Sequence, residues 1–261
     1  MTLMYVITNE TRKGLLILWD YKFNLIMEWL GIIFVVVGIM FFVGQGQITN
    51  DQVASTVLGF IVTFYAMSAV GNMSWSLMEE AQTGTLEQIY MSPVSSQLIV
   101  LGRSLASLVS TTFQIFFTTT ILFLLYQMEL PLTWQMIPIL LITIIGLLGF
   151  GYIVGGLTLI FKHVGPLANI LQNTLLIANG TFLPVSLMPT WLATAVLFLP
   201  STIGIILLRR VVLDGERLTL LWADGSLIWL IIHSGATFII GWLFYTVCEN
   251  YARKQGSLGQ Y

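Results

Sequence analysis

An all-α polytopic membrane protein is the fold class this sequence predicts, and three observations predict it. Hydrophobic residues fill 57% of the 261 positions and charged residues only 8%, with a mean hydropathy of +0.90. Soluble domains carry roughly a quarter charged residues. Six apolar runs are long enough to cross a bilayer, which takes about 20 residues for ~30 Å of hydrocarbon. The links between them are short, and one of them gathers three of the twelve acidic residues: Glu79, Glu80 and Glu87.

Residues 1–22 interleave Glu10, Arg12, Lys13, Asp20 and Lys22 with Leu15, Leu16, Leu18 and Trp19. No apolar run there is long enough to span. The pattern suits an amphipathic helix at the inner interface, with Trp19 and Tyr21 at headgroup depth and Lys22 snorkelling. Spans are expected at 25–43, 53–75, 104–126, 136–161, 164–183 and 227–247. The links GQGQITND and QMELPLTW hold no Lys or Arg and read as extracytoplasmic. Arg12, Lys13, Lys22, Arg103, Lys162, Arg253 and Lys254 then fall inside. The positive-inside rule puts both termini in the cytoplasm of a multi-pass cell-membrane protein. No cleavable signal is evident at the start of the chain.

The segment 184–224 admits two readings. Trp191–Leu208 is apolar enough for a seventh span, which would hold Arg209, Arg210 and Arg217 inside and put the C-terminus outside. Charge counting slightly prefers it. Pro184, Pro189 and Pro200 instead cut the run into pieces of about ten residues or fewer, lengths suited to re-entrant half-helices between spans five and six. The residues alone leave the choice open.

Catalytic motifs are missing. No Gly-Lys pair occurs, which rules out a G-x-x-x-x-G-K-[ST] phosphate loop, and there is no HExxH. His163 and His233 are far apart, Cys248 is the single cysteine, and the net charge of −2 leaves no basic stripe for nucleic acid. The chain reads as a non-enzyme with no metal site and no cofactor of its own.

Ionisable groups inside spans are functional candidates by default. Glu28 lies about one turn into the first span and His233 nearly two turns into the last. Each has a plainer reading: a carboxylate reaching the interface, and a neutral imidazole bonded to a neighbouring helix. Polar faces mark a path better. Tyr65, Ser68 and Asn72 share a face of the second span, while Asn169, Gln172, Asn173 and Asn179 cluster on the fifth beside Gly180. Such groups serve as interhelical glue or line a path for an amphipathic substrate.

The link MEEAQTGTLEQIYMSPVSSQLIVLGRS, residues 78–104, reads as a short helix, a break at Gly84-Thr85, a second helical turn, and a new helix opened by Ser92-Pro93. Three carboxylates exceed what solubility asks of one loop. It reads as a docking element for a soluble partner, against the plainer alternative of a solvated acidic link. A carrier or channel independent of any ATPase, using His233 and Glu28 for ion coupling, would have no use for such an element.

Glu80-x-x-x-Gly84-Thr85-Leu86-Glu87 with Ser92-Pro93 resembles the loop between the second and third spans of type 2 ABC exporter permeases. The stretch ANGTFLPVSLMPTWLATAVLFLPSTIGIILLRRVVLDG resembles the same family's re-entrant segment. The matching positions are Gly180, Pro184, Pro189-Thr190-Trp191-Leu192, Leu199-Pro200, Arg209 or Arg210, and Gly215. Both together, at this separation and with six spans and an interfacial N-terminal helix, make a resemblance that covers nearly the whole chain.

The resemblance implies six spans with 184–224 on the outer side of a bacterial or archaeal inner membrane. It also implies a dimer of permeases, either two copies or one paired with a related chain, and two separate subunits that bind ATP and Mg. In it, 78–92 is the coupling helix region, with Glu79, Glu80, Gly84, Thr85, Leu86 and Glu87 docking into the ATPase. Lys162 and His163, in FKHVGP, make a second, smaller contact. On the outer side Pro184, Pro189, Trp191 and Pro200 shape a gate, and Arg209 and Arg210 are expected to meet lipid phosphates or an anionic head group, or simply to snorkel at the interface. Basic residues often flank the coupling glutamates in this family, whereas Met78-Glu79-Glu80 is acid-only, so the ATPase surface is expected to be basic. The implied activity is ATP-driven export of a drug, lipid, lipid-linked glycan or peptide. A membrane-assembly or sensing subunit of the same fold is the alternative.

Overall fold

The computed structural model describes residues 2–43, 50–85, 91, 95–126, 133–161, 165–182 and 185–254, and every regular element among them is a helix. Helices α1 (Thr2–Asp20) and α2 (Lys22–Val43) meet at Tyr21. Four more follow: α3 (Asn50–Gln82), α4 (Ser96–Tyr126), α5 (Met136–Phe161) and α6 (Gly165–Ala178). A 3-10 turn at Val185–Leu187 leads to α7 (Thr190–Val196) and α8 (Pro200–Val212), and α9 (Leu218–Ala223) and α10 (Ser226–Lys254) complete the bundle.

Among the described residues four stretches are long and apolar enough to cross a membrane, within α3, α4, α5 and α10, or five if α7 and α8 count as one broken span. Within α2 the apolar stretch Trp29–Ile39 is shorter. The expected span 136–161 coincides with α5, while α3, α4 and α10 outrun their apolar cores by polar helical turns. The expected span 164–183 is helical only over Gly165–Ala178, about 21 Å. Asn179 and Gly180, the latter at φ 90°, turn the chain there.

The bundle has a loop end, where α3 finishes and α4 starts, and a far end, where α3 starts and α5 begins. Between them α5 is the central helix, and glycine lets its neighbours come close. A Cβ on Gly151 would lie 2.6 Å from the Ala69 carbonyl oxygen of α3. On another side, a Cβ on Gly241 of α10 would lie 2.0 Å from the Gly149 oxygen. Backbone-to-backbone approach of this kind replaces hydrophobic driving force where the solvent is itself apolar.

α7 and α8 meet at 94°, so Trp191–Leu208 is not one straight crossing. Pro200, the first residue of α8, supplies no N–H and fixes a helical φ at the bend. It packs inside the bundle: a Cβ on Gly146 would lie 2.8 Å from Pro200 Cβ and 2.9 Å from Ser234 Oγ. Gly146 is ten residues into α5, about 15 Å from its far-end start. α8 therefore begins at mid-bundle and runs out to the far end as a half-helix.

Candidate functional site

The loop end is built by the last turn of α3. Glu79 and Glu80 do not form a separate short helix; they belong to a 33-residue one. Gly84, at φ 72°, ends it, and the Thr85 N–H returns to the Glu80 carbonyl at 3.0 Å. This six-to-one bond with glycine in the left-handed region is a Schellman C-cap, so the Gly84-Thr85 break terminates a span rather than dividing a loop.

The two carboxylates differ. Glu79 is exposed. Glu80 turns inward, where Arg103 Nη2 of α4 donates to it at 2.6 Å and the Thr85 hydroxyl donates to its other oxygen. Arg103 Nη1 also donates to Ser76 Oγ at 3.0 Å. The local sequence is acid-only, and the cation that pairs with Glu80 arrives from the next helix, 23 residues on. With both side chains about one-fifth exposed, the pair contributes on the order of 1 kcal/mol.

The loop's return is held in the same way. Ser96 Oγ donates to Glu249 Oε1 of α10 at 2.6 Å, and Gln97 Nε2 reaches Glu249 Oε2 at 3.3 Å. Arg253, one turn on, donates to the same buried carboxylate at 2.5 Å. The Tyr152 hydroxyl donates to the Gln97 carbonyl at 3.2 Å, and its ring lies in a cluster with Tyr245, Trp242 and Phe238. Both ends of the acidic loop are thus clamped to the bundle.

Between the α1–α2 arm and the wall made by α3 and α4 lies a cavity of about 1450 Å³. Glu79, Glu80 and Arg103 line its loop end, Phe60, Phe64 and Phe117 line it farther along α3 and α4, and Lys13, Lys22, Ile32 and Val35 line it from the arm. α2 leans on the wall through Trp29, stacked on Phe117 at 4.9 Å.

About 20 Å in from the far-end start of α3, a buried polar knot joins that helix to the turn after α6. Asn179 Nδ2 donates to Thr63 Oγ1 at 2.7 Å, and Asn179 Oδ1 accepts from the Thr181 N–H and hydroxyl. Thr63, Asn179 and Thr181 are at most 1% exposed. Arg209 of α8 then closes the turn: Nη1 donates to the Gly180 carbonyl and Nη2 to that of Thr181, each at 2.8 Å, while Nε and Nη2 reach the Ser55 carbonyl of α3. Arg210 pairs with Glu216 at 2.7 Å and Asp224 at 2.6 Å. The Ser226 N–H, then Arg210, hold the Asp224 carboxyl down to about 2, so this cap is charged at any physiological pH.

The structure separates several residues that the sequence grouped. Ser68, Asn72 and Gln172 line the cavity, but Tyr65 is bonded to Thr112 and Ser68 accepts from Thr111, both on α4. Gln172 also donates to the Met67 carbonyl, joining α6 to α3. Asn169 and Asn173 are exposed, and Asn179 is buried in the knot, so the four amides of the fifth span do not share one side. His233 is half-buried, its ring 5.9 Å from that of Trp229 on the same helix. Pro189 precedes α7, Trp191 is exposed, and Pro200 is buried. Arg209 and Arg210, expected to meet lipid or cargo phosphates, direct their donors to protein carbonyls and carboxylates instead. Leu86, Glu87, Lys162, His163 and Pro184 lie outside the described residues.

Sequence reasoning missed Glu249, Thr63, Thr181 and the pairing role of Arg103. Arg103 had a signal: it is the only basic residue between Lys22 and Lys162. Glu249 and Arg253 had one too, in their i, i+4 spacing.

The bundle combines helices long and apolar enough to cross a membrane with a deep cavity among them and charged clusters at both ends. The family model of the ABC-2 type transporter matches residues 9–213, and the chain belongs to that family. Among curated proteins, none matches the chain significantly.

Proposed function

We propose that the chain is the permease subunit of an ATP-driven exporter, acting in a pair with two separate ATP-binding subunits and moving an amphipathic substrate outward. In this reading α2, α3, α4, α5, α6 with its following turn, and α10 make six spans. α1 lies at the inner interface, the loop end faces the cytoplasm, and 184–224 lies outside.

The observation that carries the proposal is the double clamp on the acidic loop. A docking element transmits motion only if its roots do not give. Arg103 fixes one root through Glu80 and Ser76; Glu249 and Tyr152 fix the other. Glu79 stays exposed between them, available to a basic surface on the ATPase. Glu80 becomes a positioning residue, and the docking charge falls to Glu79 and Glu87.

Purification of the tagged chain in gentle detergent tests this. Wild type is expected to bring an ATP-binding subunit with it, and Glu79→Lys/Glu87→Lys to lose it by tenfold or more, about the effect of reversing two interfacial charges. Arg103→Ala is expected to keep the ATPase and lower ATP-driven transport several-fold, because it loosens a root without touching the exposed face. Absence of any ATPase, together with solute flux in liposomes lacking ATP, would sink the proposal.

A further inference from the structure

The cavity between the α1–α2 arm and the α3–α4 wall is open to a ligand that none of the contacts above accounts for. We propose that it is a binding site for an anionic lipid or lipid-like amphiphile, with the head group at Lys13 and Lys22 and the chains against Phe60, Phe64 and Phe117. This deepens the transport reading and rests on it for the meaning of the site, though not for the binding itself.

Size is the first argument. At about 1450 Å³ the cavity exceeds the roughly 300–1,000 Å³ of drug-sized pockets. Along α3 its lining runs from Phe60 to Glu80, a rise of about 30 Å, which is the thickness of the hydrocarbon core. An elongated ligand lying parallel to the helices fills such a space.

Polarity along that length is the second. On the α3–α4 wall the charged residues Glu79, Glu80 and Arg103 stand at one end, and Phe60, Phe64 and Phe117 line the other. Along α4, Ser104, Ser107, Thr111 and Gln114 recur at helical spacing and line the same wall. The three hydroxyls spend their protons on Val100, Ser104 and Ser68, keeping acceptor capacity toward the cavity. Gln114, half-buried, has no hydrogen-bond partner among the described residues. A polar rail leading inward from a charged mouth suits a molecule with one polar end.

Charge is the third. Glu80 and Arg103 neutralise each other, leaving Lys13 and Lys22 against Glu79 among the charged lining residues. Among the described residues neither lysine forms an ion pair; Lys22 lies over the Trp19 ring, 5.2 Å from its centroid. The surplus cation selects an acidic head group, and the Lys stems supply apolar length below it.

Native mass spectrometry of the purified full chain tests this, without ATPase or nucleotide, so its outcome stands apart from that of the coupling proposal. The probes are phosphatidylglycerol and phosphatidylcholine. Wild type is expected to retain phosphatidylglycerol about tenfold better, and Lys13→Gln/Lys22→Gln to remove that preference. Ser107→Trp, which fills the groove from a wall position, is expected to reduce retention of both lipids. Equal retention of the two lipids by wild type, or a preference that survives the lysine change, overturns the proposal. So does cross-linking of two copies through Ser107→Cys with no lipid retained, since a second copy would then occupy the groove.

Discussion

Arg209→Ala is expected to lower the stability of the protein in detergent by about 3 kcal/mol. The chain leaves helical geometry after Ala178, so the carbonyls of Gly180 and Thr181 have no helical partner in a setting without water. One guanidinium serves both and binds the Ser55 carbonyl of α3 as well. Hydrogen bonds from a charged donor contribute roughly 1.5–3 kcal/mol each, and deleting the donor strands its acceptors. Arg209→Lys is expected to recover less than half of the loss, because an ammonium cannot reach three carbonyls with a planar fork. Thermal unfolding followed by tryptophan fluorescence measures both variants. A change below about 0.5 kcal/mol for the alanine variant would show that water or lipid replaces the guanidinium.

Gly241→Ala is expected to prise α10 from α5, at about 3 kcal/mol or with loss of folded protein. The added methyl would lie 2.0 Å from the Gly149 carbonyl oxygen and 2.9 Å from its Cα, both of them backbone. No rotamer change relieves that contact; a whole helix has to shift. Gly235→Ala on the same helix is the control, since nothing lies within 4 Å of its Cβ. There the helix propensity gained, up to about 1 kcal/mol, is expected to leave stability equal or improved. Equal melting of the two variants would refute the close approach.

What the sequence made legible were the features written in local periodicity. The apolar run 136–161 is α5 residue for residue, because a span bounded by polar turns carries its own ends. Pro200 marked the bend between α7 and α8 for a similarly local reason. The harder features were long-range. Arg103 and Glu80 are 23 residues apart, and Ser96 and Glu249 are 153 apart; nothing local tells either carboxylate which cation or hydroxyl it meets. Arg209 illustrates the limit most clearly. Beside Arg210 in sequence, it shares that residue's charge and hydropathy, yet one turns into the bundle and the other faces Glu216 and Asp224. Helical geometry puts neighbours about 100° apart, and only the packing of α8 decides which of them faces in. Asn179 was visible as a costly amide in an apolar run, but whether it lined a path or tied a knot depended on Thr63, 116 residues away.

α3 touches both ends of the machine. Ser55, which holds Arg209, and Glu80, which holds Arg103, are 25 residues apart on one uninterrupted helix, about 37 Å. A lever of that length turns a tilt of about 5° into a displacement of roughly 3 Å at its opposite tip, the length of one hydrogen bond. Rocking the acidic root by that small angle therefore leaves two alternatives at the other tip. Either the arginine lets go of α3, or the half-helix that carries it swings along.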